Sequence, residues 1–253
     1  MELGPRSISM GRTPEPMAIT FDVAVAKTNK FASRESGDTV EVVERPGGGL
    51  SVVIVDGQGS GQAAKRLSLL VAGRAVSLLN EGVRDGTAAR ASHDFLYTHR
   101  GGRVSAALDI VSIDLVSRTV VLTRNSETPM LLFQNGTLEV VSDSGGRIGV
   151  HRQMRPKVLE FPAIPGTIAI LLTDGVVHAG HHTSGAFDVK EQAQALLAED
   201  LPIQTFVDRL LHSAMAVEWN RPRDDMTVVA LNVGPGVREQ PVRRLYLSIP
   251  LPE

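Results

Sequence analysis

The sequence predicts an α+β fold in which two antiparallel β-sheets pack face to face and helix pairs flank them. Three observations lead to this prediction. Strand-like segments follow one another through short turns, the helix-like segments fall into two pairs, and strands and helices do not alternate as they do in βαβ units. Hairpin-linked strands with segregated helices therefore favour a layered sandwich over a parallel sheet.

The N-terminal part of the chain predicts an arm and three strands. Residues 1–16 are rich in Gly, Pro and Ser and show no periodicity, so we expect a flexible arm. Residues 17–30 alternate apolar and polar side chains as a half-buried strand does, and residues 38–44 resemble a second strand. After the turn RPGGG, residues 50–56 are almost wholly apolar, which predicts a third strand covered on both faces.

Two helices and a series of strands follow. A glycine-rich stretch at 57–61 precedes residues 62–81, whose apolar side chains recur on one helical face, and residues 87–99 suit a second helix. Short strand-like runs separated by turn residues come next, at 104–117, 119–126, 129–134 and 137–142. The middle of the chain therefore contributes a helix pair and then a set of hairpins.

The last third of the chain repeats this organisation. Residues 167–174 form another apolar strand, residues 188–199 and 202–217 have helical patterns, and residues 226–233 close the fold as a strand. Residues 234–253 hold four prolines and a short apolar run, and they are either an appended strand or a tail.

The composition is that of an ordinary globular protein and excludes several classes of function. Of 253 residues, 42% are hydrophobic, and the net charge of -2 argues against nucleic acid as a partner. The absence of cysteine excludes disulfides, zinc–thiolate sites and thiol nucleophiles. No apolar run approaches the roughly 20 residues that span a bilayer, and the N-terminus lacks the apolar core of a signal peptide. We therefore expect a cytoplasmic protein without a membrane partner, as a monomer or a weak homodimer.

Acidic residues stand at the ends of the predicted strands. The two most apolar strands each end in an Asp-Gly pair, a third acid follows a glycine at the edge of the second strand, and an Asp-Asp pair precedes the last strand. These residues are Asp38, Asp56, Asp174, Asp224 and Asp225. A carboxylate at the tip of a buried strand is costly unless a counter-charge compensates it, and Mg(II) and Mn(II) prefer oxygen ligands.

A structural explanation competes with the metal site. A single Asp-Gly pair is usually a turn, and we expect this for Asp85-Gly86 between the first two helices. The pattern alone leaves both interpretations open, a set of turns and a metal site shared by several strand ends.

These residues resemble the metal-dependent serine/threonine phosphatases of the type 2C superfamily, and within it the bacterial SpoIIE/RsbU/RsbX branch. Four segments occur in the family's order, and the resemblance spans about residues 20–233. The segments are Ser36-Gly37-Asp38, Val55-Asp56-Gly57-Gln58-Gly59-Ser60-Gly61, Leu172-Thr173-Asp174-Gly175-Val176 and Arg223-Asp224-Asp225-Met226-Thr227-Val228. The resemblance implies that residues 17–233 are the phosphatase catalytic domain and that residues 234–253 are a C-terminal extension.

The resemblance also implies a site with two Mn(II) or Mg(II) ions at the ends of the sheets. Carried over by position, Asp38 and Asp56 bind metal, with Asp56 as the bridging ligand, and Gly57 contributes its backbone carbonyl. Asp174 and Asp224 complete the shell of the second ion. Asp56 and Asp174 are then the catalytic positions, because the ions they hold convert water into the attacking hydroxide.

The implied substrate is a phosphorylated protein. By resemblance, it is a phosphoserine or phosphothreonine on an anti-sigma-factor antagonist or a related stress-signalling regulator. Two alternatives stay open at this point. One is a non-catalytic metal-binding module of the same fold, and the other is a phosphoesterase that acts on small molecules.

The sequence departs from the family pattern in three places. Residues 125–129 read Asn-Ser-Glu-Thr-Pro, where family members often carry Asn-Ala-Gly-His-Pro. Asp225 stands where the superfamily often has Asn, so we expect it to support the site without binding metal. The sequence shows no clear equivalent of the arginine that contacts phosphate in eukaryotic relatives, for which Arg34 and Arg103 are the candidates.

Other polar features have simpler explanations. The stretch from Gly57 to Gly61 matches a dinucleotide-binding loop only in part, and Asp56 would repel the pyrophosphate. Trp219 is expected to pack in the core or at its edge. Three histidines in a glycine-containing loop are expected to be exposed near the mouth of the cleft and not to form a zinc site. They are His178, His181 and His182.

Overall fold

Two five-stranded antiparallel sheets form the centre of the protein in the computed structural model, which describes residues 19–183, 185–236 and 242–248. Sheet A has the strand order β1-β10-β9-β6-β7, and sheet B has the order β2-β3-β4-β5-β8. The strands are β1 (Ile19–Thr28), β2 (Asp38–Glu44), β3 (Leu50–Gly57), β4 (Ala106–Asp114), β5 (Thr119–Asn125), β6 (Met130–Gln134), β7 (Thr137–Val141), β8 (Lys157–Pro162), β9 (Thr167–Leu172) and β10 (Met226–Pro235). The predicted α+β sandwich is confirmed.

Helices cover the outer face of each sheet. They are α1 (Gly61–Asn80), α2 (Asp85–Arg100), the short α3 (Asp174–Val177), α4 (Val189–Leu197) and α5 (Ile203–Val217). The apolar side chains of α1 and α2 pack with sheet B, and those of α4 and α5 pack with sheet A. A third apolar cluster fills the space between the two sheets. The order of layers is therefore helices, sheet, sheet, helices.

Local sequence explains where these helices begin and end. The apolar face of α1 buries Leu67, Val71 and Leu79 against sheet B. Helix α2 ends at Gly101, whose backbone adopts a left-handed conformation with φ of 59° that glycine tolerates best. Asp188 precedes α4 and accepts a hydrogen bond from the backbone N–H of Glu191, which satisfies a free donor of the first turn.

The structure differs from the sequence prediction in a few elements. Strand β8 was not predicted, because it lies at the edge of sheet B and buries no side chain fully. The strand expected at 167–174 ends at Leu172, and Asp174 instead begins α3. Residues 242–248 form neither a helix nor a strand, and the expected arm at 1–16 lies outside the described residues. None of the helices in the described ranges is long and apolar enough to cross a membrane.

Candidate active site

A polar cleft of about 480 Å³ opens at one end of the sandwich. Its lining includes the carboxylates of Asp56, Asp174 and Asp224 together with the cationic side chains of Lys30 and Arg147. The sequence-predicted acids at three separate strand ends are thus brought to one place. The cleft carries charges of both signs, which suits an anionic ligand and the cations that accompany it.

Strand register brings the acids of both sheets to the same end. Asp38 and Asp56 lie directly opposite each other where β2 and β3 pair. Asp174 follows β9 and Asp224 precedes β10, and these two strands are neighbours in sheet A. Each sheet therefore contributes two of the four candidate ligands.

Asp56 carries its charge in a partly closed environment. Its side chain is 15% exposed, and Arg147 Nη1 donates to Oδ2 at 3.1 Å. Burial raises the pKa of Asp56 to about 7, against the attraction of Arg147, and the charges of Asp174 and Asp38 add to the rise. Arg147 therefore stabilises the ionised carboxylate only in part, and a further positive charge would stabilise it more.

Asp38 joins the two sheets behind the cleft. It is 2% exposed, and its Oδ2 accepts hydrogen bonds from the hydroxyls of Thr173 (3.0 Å) and Thr227 (2.6 Å) of sheet A. Burial raises the pKa of Asp38 to about 6, although both hydroxyl bonds oppose the rise. The backbone carbonyl of Asp38 accepts from the ammonium groups of Lys27 (3.1 Å) and Lys65 (2.8 Å).

The segments around Asp174 and Asp224 pack against each other closely. A side-chain carbon added to Gly175 would lie 2.2 Å from the backbone oxygen of Asp225, so only glycine fits here. Burial raises the pKa of Asp224, and the charges of Asp174 and Asp225 add to it, while Lys30 opposes the rise. Asp174 and Asp224 therefore lie near each other although their negative charges repel.

Asp225 is turned away from the cleft. Its Oδ1 accepts from the backbone N–H of Lys30 (2.9 Å) and its Oδ2 accepts from that of Gly37 (2.7 Å). It is buried and fixes the loop between β1 and β2, which leads into Asp38. This placement agrees with a supporting role.

Gly57 lies where strand β3 touches helix α1. A side-chain carbon at Gly57 would lie 2.4 Å from the backbone oxygen of Ala64. The position of the Gly57 backbone, including its carbonyl, is therefore tied to the first turn of α1.

Arg147 is a cleft residue that the sequence analysis did not identify. It follows Gly145-Gly146 in the loop between β7 and β8, and this loop also carries Arg152 and Arg155, so its sequence does not single out Arg147. The arginines that were proposed instead, Arg34 and Arg103, are not among the residues that line the cleft. Their contact with phosphate stays a prediction. Arg147 reaches the cleft because the loop after β7 pairs with the start of β4 through Ile148 and Ala106.

Other expectations for polar and aromatic residues had mixed outcomes. The three loop histidines are exposed, as expected, but they do not line the cleft. Trp219 is 70% exposed in a left-handed turn after α5 and does not pack in the core. Asp85 is no simple turn residue, since it begins α2 and pairs with Arg45.

The donor chemistry of the cleft fits hard divalent cations. Carboxylates and a backbone carbonyl are the ligands that Mg(II) and Mn(II) prefer, and burial, with a smaller contribution from neighbouring carboxylates, raises the pKa of Asp38, Asp56 and Asp224. Within the described residues, no three His, Asp or Glu side chains are yet gathered closely enough to hold an ion.

Comparison with known proteins connects this geometry to a family. The sequence matches the family of Stage II sporulation protein E (SpoIIE) over residues 46–234. No protein of curated function matches the sequence significantly.

Solved structures show the same fold. The PP2C phosphatase domain of SpoIIE from Bacillus subtilis, solved with a fragment of its regulatory domain, superposes with a TM-score of 0.77 and 21% identity. The similarity covers 88% of this chain and 65% of that one. The catalytic domain of the phosphatase PstP, solved with two manganese ions, gives 0.67 and 16%, covering 86% and 100% of the two chains. RsbX in complex with magnesium gives 0.66 and 14%, covering 87% and 100%.

The family match includes Asp56-Gly57, Asp174-Gly175 and the Asp-Asp pair before β10. Of these acids, Asp56, Asp174 and Asp224 converge on one cleft of a four-layer fold that these phosphatase domains share. This chain therefore belongs to the SpoIIE family, and it has the fold of PP2C phosphatase domains.

Proposed function

We propose that this protein is a metal-dependent phosphatase that hydrolyses phosphoserine or phosphothreonine in a protein substrate. The observation that carries the proposal is the convergence of Asp56, Asp174 and Asp224, from both sheets, on one open polar cleft. Burial and, to a smaller extent, the charges of Asp174 and Asp38 raise the pKa of Asp56, and a bound divalent cation would offset the cost of this buried negative charge.

The residues that would hold Mn(II) or Mg(II) are Asp38, Asp56, Asp174 and Asp224 with the backbone carbonyl of Gly57, and two ions are proposed. When bound, such ions supply an activated water and stabilise negative charge on the phosphoryl group. We propose Asp56 and Asp174 as the catalytic positions. Solved structures of the same fold that contain manganese or magnesium support the choice of metal.

The chain's own cations suit a phosphoryl ligand. Arg147 and Lys30 lie on the wall of the same cleft as the carboxylates. A guanidinium can donate two parallel hydrogen bonds to phosphoryl oxygens, and an ammonium adds a point charge. Together they can orient a phosphoryl group over the carboxylate cluster and exclude competing water from that side.

A protein substrate agrees with the shape of the cleft. The site is open and polar, so it can accept a side chain presented on a larger surface. By its likeness to the SpoIIE/RsbU/RsbX branch, the proposed substrate is a phosphorylated anti-sigma-factor antagonist or a related regulator. The proposal places the enzyme in the cytoplasm, where such regulators act.

Phosphate release from phosphoserine and phosphothreonine peptides with added Mn(II) tests the proposal. We expect release that a chelator abolishes and that Asp56→Asn or Asp174→Asn lowers by about a hundredfold or more. Asp22→Asn, the same change at an exposed position of β1, serves as the matched control and should retain activity.

Three outcomes would contradict the proposal. Equal activity in the Asp56 and Asp174 variants would show that another site acts. Turnover of para-nitrophenyl phosphate without turnover of any phosphopeptide would indicate a small-molecule phosphoesterase. Tight Mn(II) binding without any hydrolysis would indicate a non-catalytic module.

A further inference from the structure

Arg147 is held in the cleft by a backbone that is fixed on its C-terminal side. The next residue, Ile148, exchanges two backbone hydrogen bonds with Ala106, at 3.1 and 2.9 Å. Beyond it, the N–H of Gly149 donates to Nδ1 of the buried His93 on α2 at 3.1 Å. The side chain of Arg147 therefore starts from a defined point on the cleft wall.

The guanidinium of Arg147 binds Asp56 at two points. Nη1 donates to the carboxylate Oδ2 at 3.1 Å, and Nη2 reaches the backbone oxygen of the same residue at 3.4 Å. Nε donates to the hydroxyl of Ser105 at 3.3 Å, and the backbone N–H of Ser105 is in turn bound by Gln58 at 2.8 Å. Ser105 thus steadies the guanidinium in its contact with Asp56.

The two oxygens of the Asp56 carboxylate are not equivalent. Arg147 occupies Oδ2, whereas no donor among the described residues forms a hydrogen bond to Oδ1. The carboxylate can therefore offer one oxygen to a cation while the ion pair is intact. A second cation at Oδ2 would sit against the guanidinium, and two positive charges in contact repel strongly in a partly buried site.

We propose that Arg147 competes with a divalent cation for Oδ2 of Asp56, so that the ion pair sets the metal concentration at which the cleft becomes fully loaded. This inference rests on the proposed function, because it takes Asp56 as a metal ligand. A cation that displaced the guanidinium from Oδ2 would free the Nη1 donor of Arg147. The side chain would remain in the cleft, because the backbone on its C-terminal side is fixed.

The opposite role for Arg147 makes the opposite prediction. If the guanidinium only oriented Asp56 as a ligand, its removal would weaken cation binding. If it competes, its removal strengthens binding. The sign of the change in affinity therefore decides between the two roles.

The test is calorimetric titration of the metal-free protein with Mn(II), at about pH 8 so that the Asp56 carboxyl is mostly ionised. We expect Arg147→Met to bind Mn(II) about tenfold or more tightly than the unsubstituted protein. The variant lacks the charge-assisted hydrogen bond with which Arg147 occupies Oδ2 of Asp56, so the cation has no competitor there. Arg147→Lys keeps the charge but loses the two-point contact, and it should fall between them.

The matched control is Arg103→Met, which removes the same charge from an exposed position outside the cleft lining. Its affinity should change by no more than about twofold, as expected for a screened surface charge. Thermal melts of the metal-free variants check that each remains folded.

Each result has a defined meaning. Affinity that is unchanged or weaker in Arg147→Met overturns the inference, and so does an equal gain in Arg103→Met. The proposed function fails separately, if the unsubstituted protein at millimolar Mn(II) releases no phosphate from phosphopeptides. A chain that releases phosphate but shows no gain in Arg147→Met would keep the function and lose the inference.

Discussion

The residue that shapes the chemistry of the cleft is Asp56, a carboxylate whose surroundings favour the neutral form. Burial and the charges of Asp174 and Asp38 raise its pKa to about 7, and burial raises that of Asp38 to about 6. Without a metal ion, the folded chain therefore takes up protons at these groups more readily than the unfolded chain does. The stability of the metal-free protein should depend on pH for this reason.

A raised pKa stabilises the fold below the unfolded value, near 4, and that contribution is lost as pH rises through the folded value. For Asp56 the loss extends to about pH 7. We expect the chelator-treated protein to melt at a lower temperature at pH 8 than at pH 6, and Asp56→Asn to reduce the difference. Thermal melts between pH 6 and pH 8 measure this difference in melting temperature. If Asp56→Asn kept the pH dependence of the unsubstituted protein, the assignment of that dependence to Asp56 would be contradicted.

Gly57 offers a second test at the level of one side chain. Gly57→Ala puts a carbon 2.4 Å from the backbone of α1, so we expect a loss of about 1–3 kcal/mol or more in the free energy of unfolding. Gly73→Ala on the same helix meets no atom within 4 Å and should be neutral or stabilising by up to about 1 kcal/mol. Urea denaturation in chelator compares the two, and equal effects would disprove the close packing.

Single residues differ in how far the sequence reveals them. The acids could be found because each ends or precedes an apolar strand, and Asp56, Asp174 and Asp224 do line one cleft. Arg147 could not, because it lies in a glycine-rich loop whose sequence does not determine the strand end to which it returns. The metal-binding roles of the acids stay predictions that the titration tests.

Between elements, one buried ion pair joins the β2–β3 turn to the start of α2. Arg45 Nη1 pairs with Asp85 Oδ1, and its Nη2 donates to the carbonyl of Val83 at 2.7 Å. The side chains of Arg45 and Asp85 are only 15% and 6% exposed. The pair therefore determines how the hairpin of sheet B meets its helix layer.

Removing one partner of this pair should be costly. Arg45→Met leaves Asp85 buried without its counter-charge, and we expect a loss of about 3–5 kcal/mol. The double variant Arg45→Met/Asp85→Leu should recover most of it. Arg209→Met, which breaks an exposed pair with Glu199, should leave the denaturation midpoint nearly unchanged. A double variant no more stable than Arg45→Met alone would contradict this explanation.

At this scale the sequence was a good guide for helices and a weaker one for edge strands. The helices α1, α2, α4 and α5 begin and end within about two residues of the predicted positions, because their apolar periodicity is long. Strand β8 was missed, since it buries no side chain fully and sits at the edge of sheet B. The short helix α3 was missed because a four-residue element has too few positions to show a period.

Across the whole molecule, the cleft depends on how the two sheets are placed, since each contributes two of the four candidate ligands. A cation bound between them links the sheets and should stabilise the entire fold. We expect Mn(II) at a hundredfold excess over its dissociation constant to add about 2.7 kcal/mol to the free energy of unfolding. Thermal melts with Mn(II) and with chelator measure this gain.

Asp174→Asn should lose most of that stabilisation, whereas the matched change Asp22→Asn, at an exposed position of β1, should keep it. An equal gain in both variants would mean that the cation binds outside the cleft. This comparison requires no substrate.

The layered architecture was predictable from the order of strands and helices, but the strand order was not. Strand β1 pairs with β10, the last strand among the described residues, along their full lengths. No local sequence pattern predicts that two segments so far apart in the chain pair with each other. Such pairing depends on all the apolar strand and helix faces that must be buried together. The site inherits this limit, since its ligands come from strands that meet only in the folded chain.

The pairing of β1 and β10 also determines which points of attachment on the domain lie far from the cleft. Ile19 pairs with Pro235 at one end of the ladder, and Thr28 pairs with Met226 at the other, next to the cleft. At about 3.3 Å per residue, ten paired residues place Ile19 and Pro235 about 30 Å from that cleft. A sensor surface, an affinity tag or a fused module attached near Ile19 or Pro235 is therefore remote from the cleft. The cleft can then stay open to a phosphoprotein in solution.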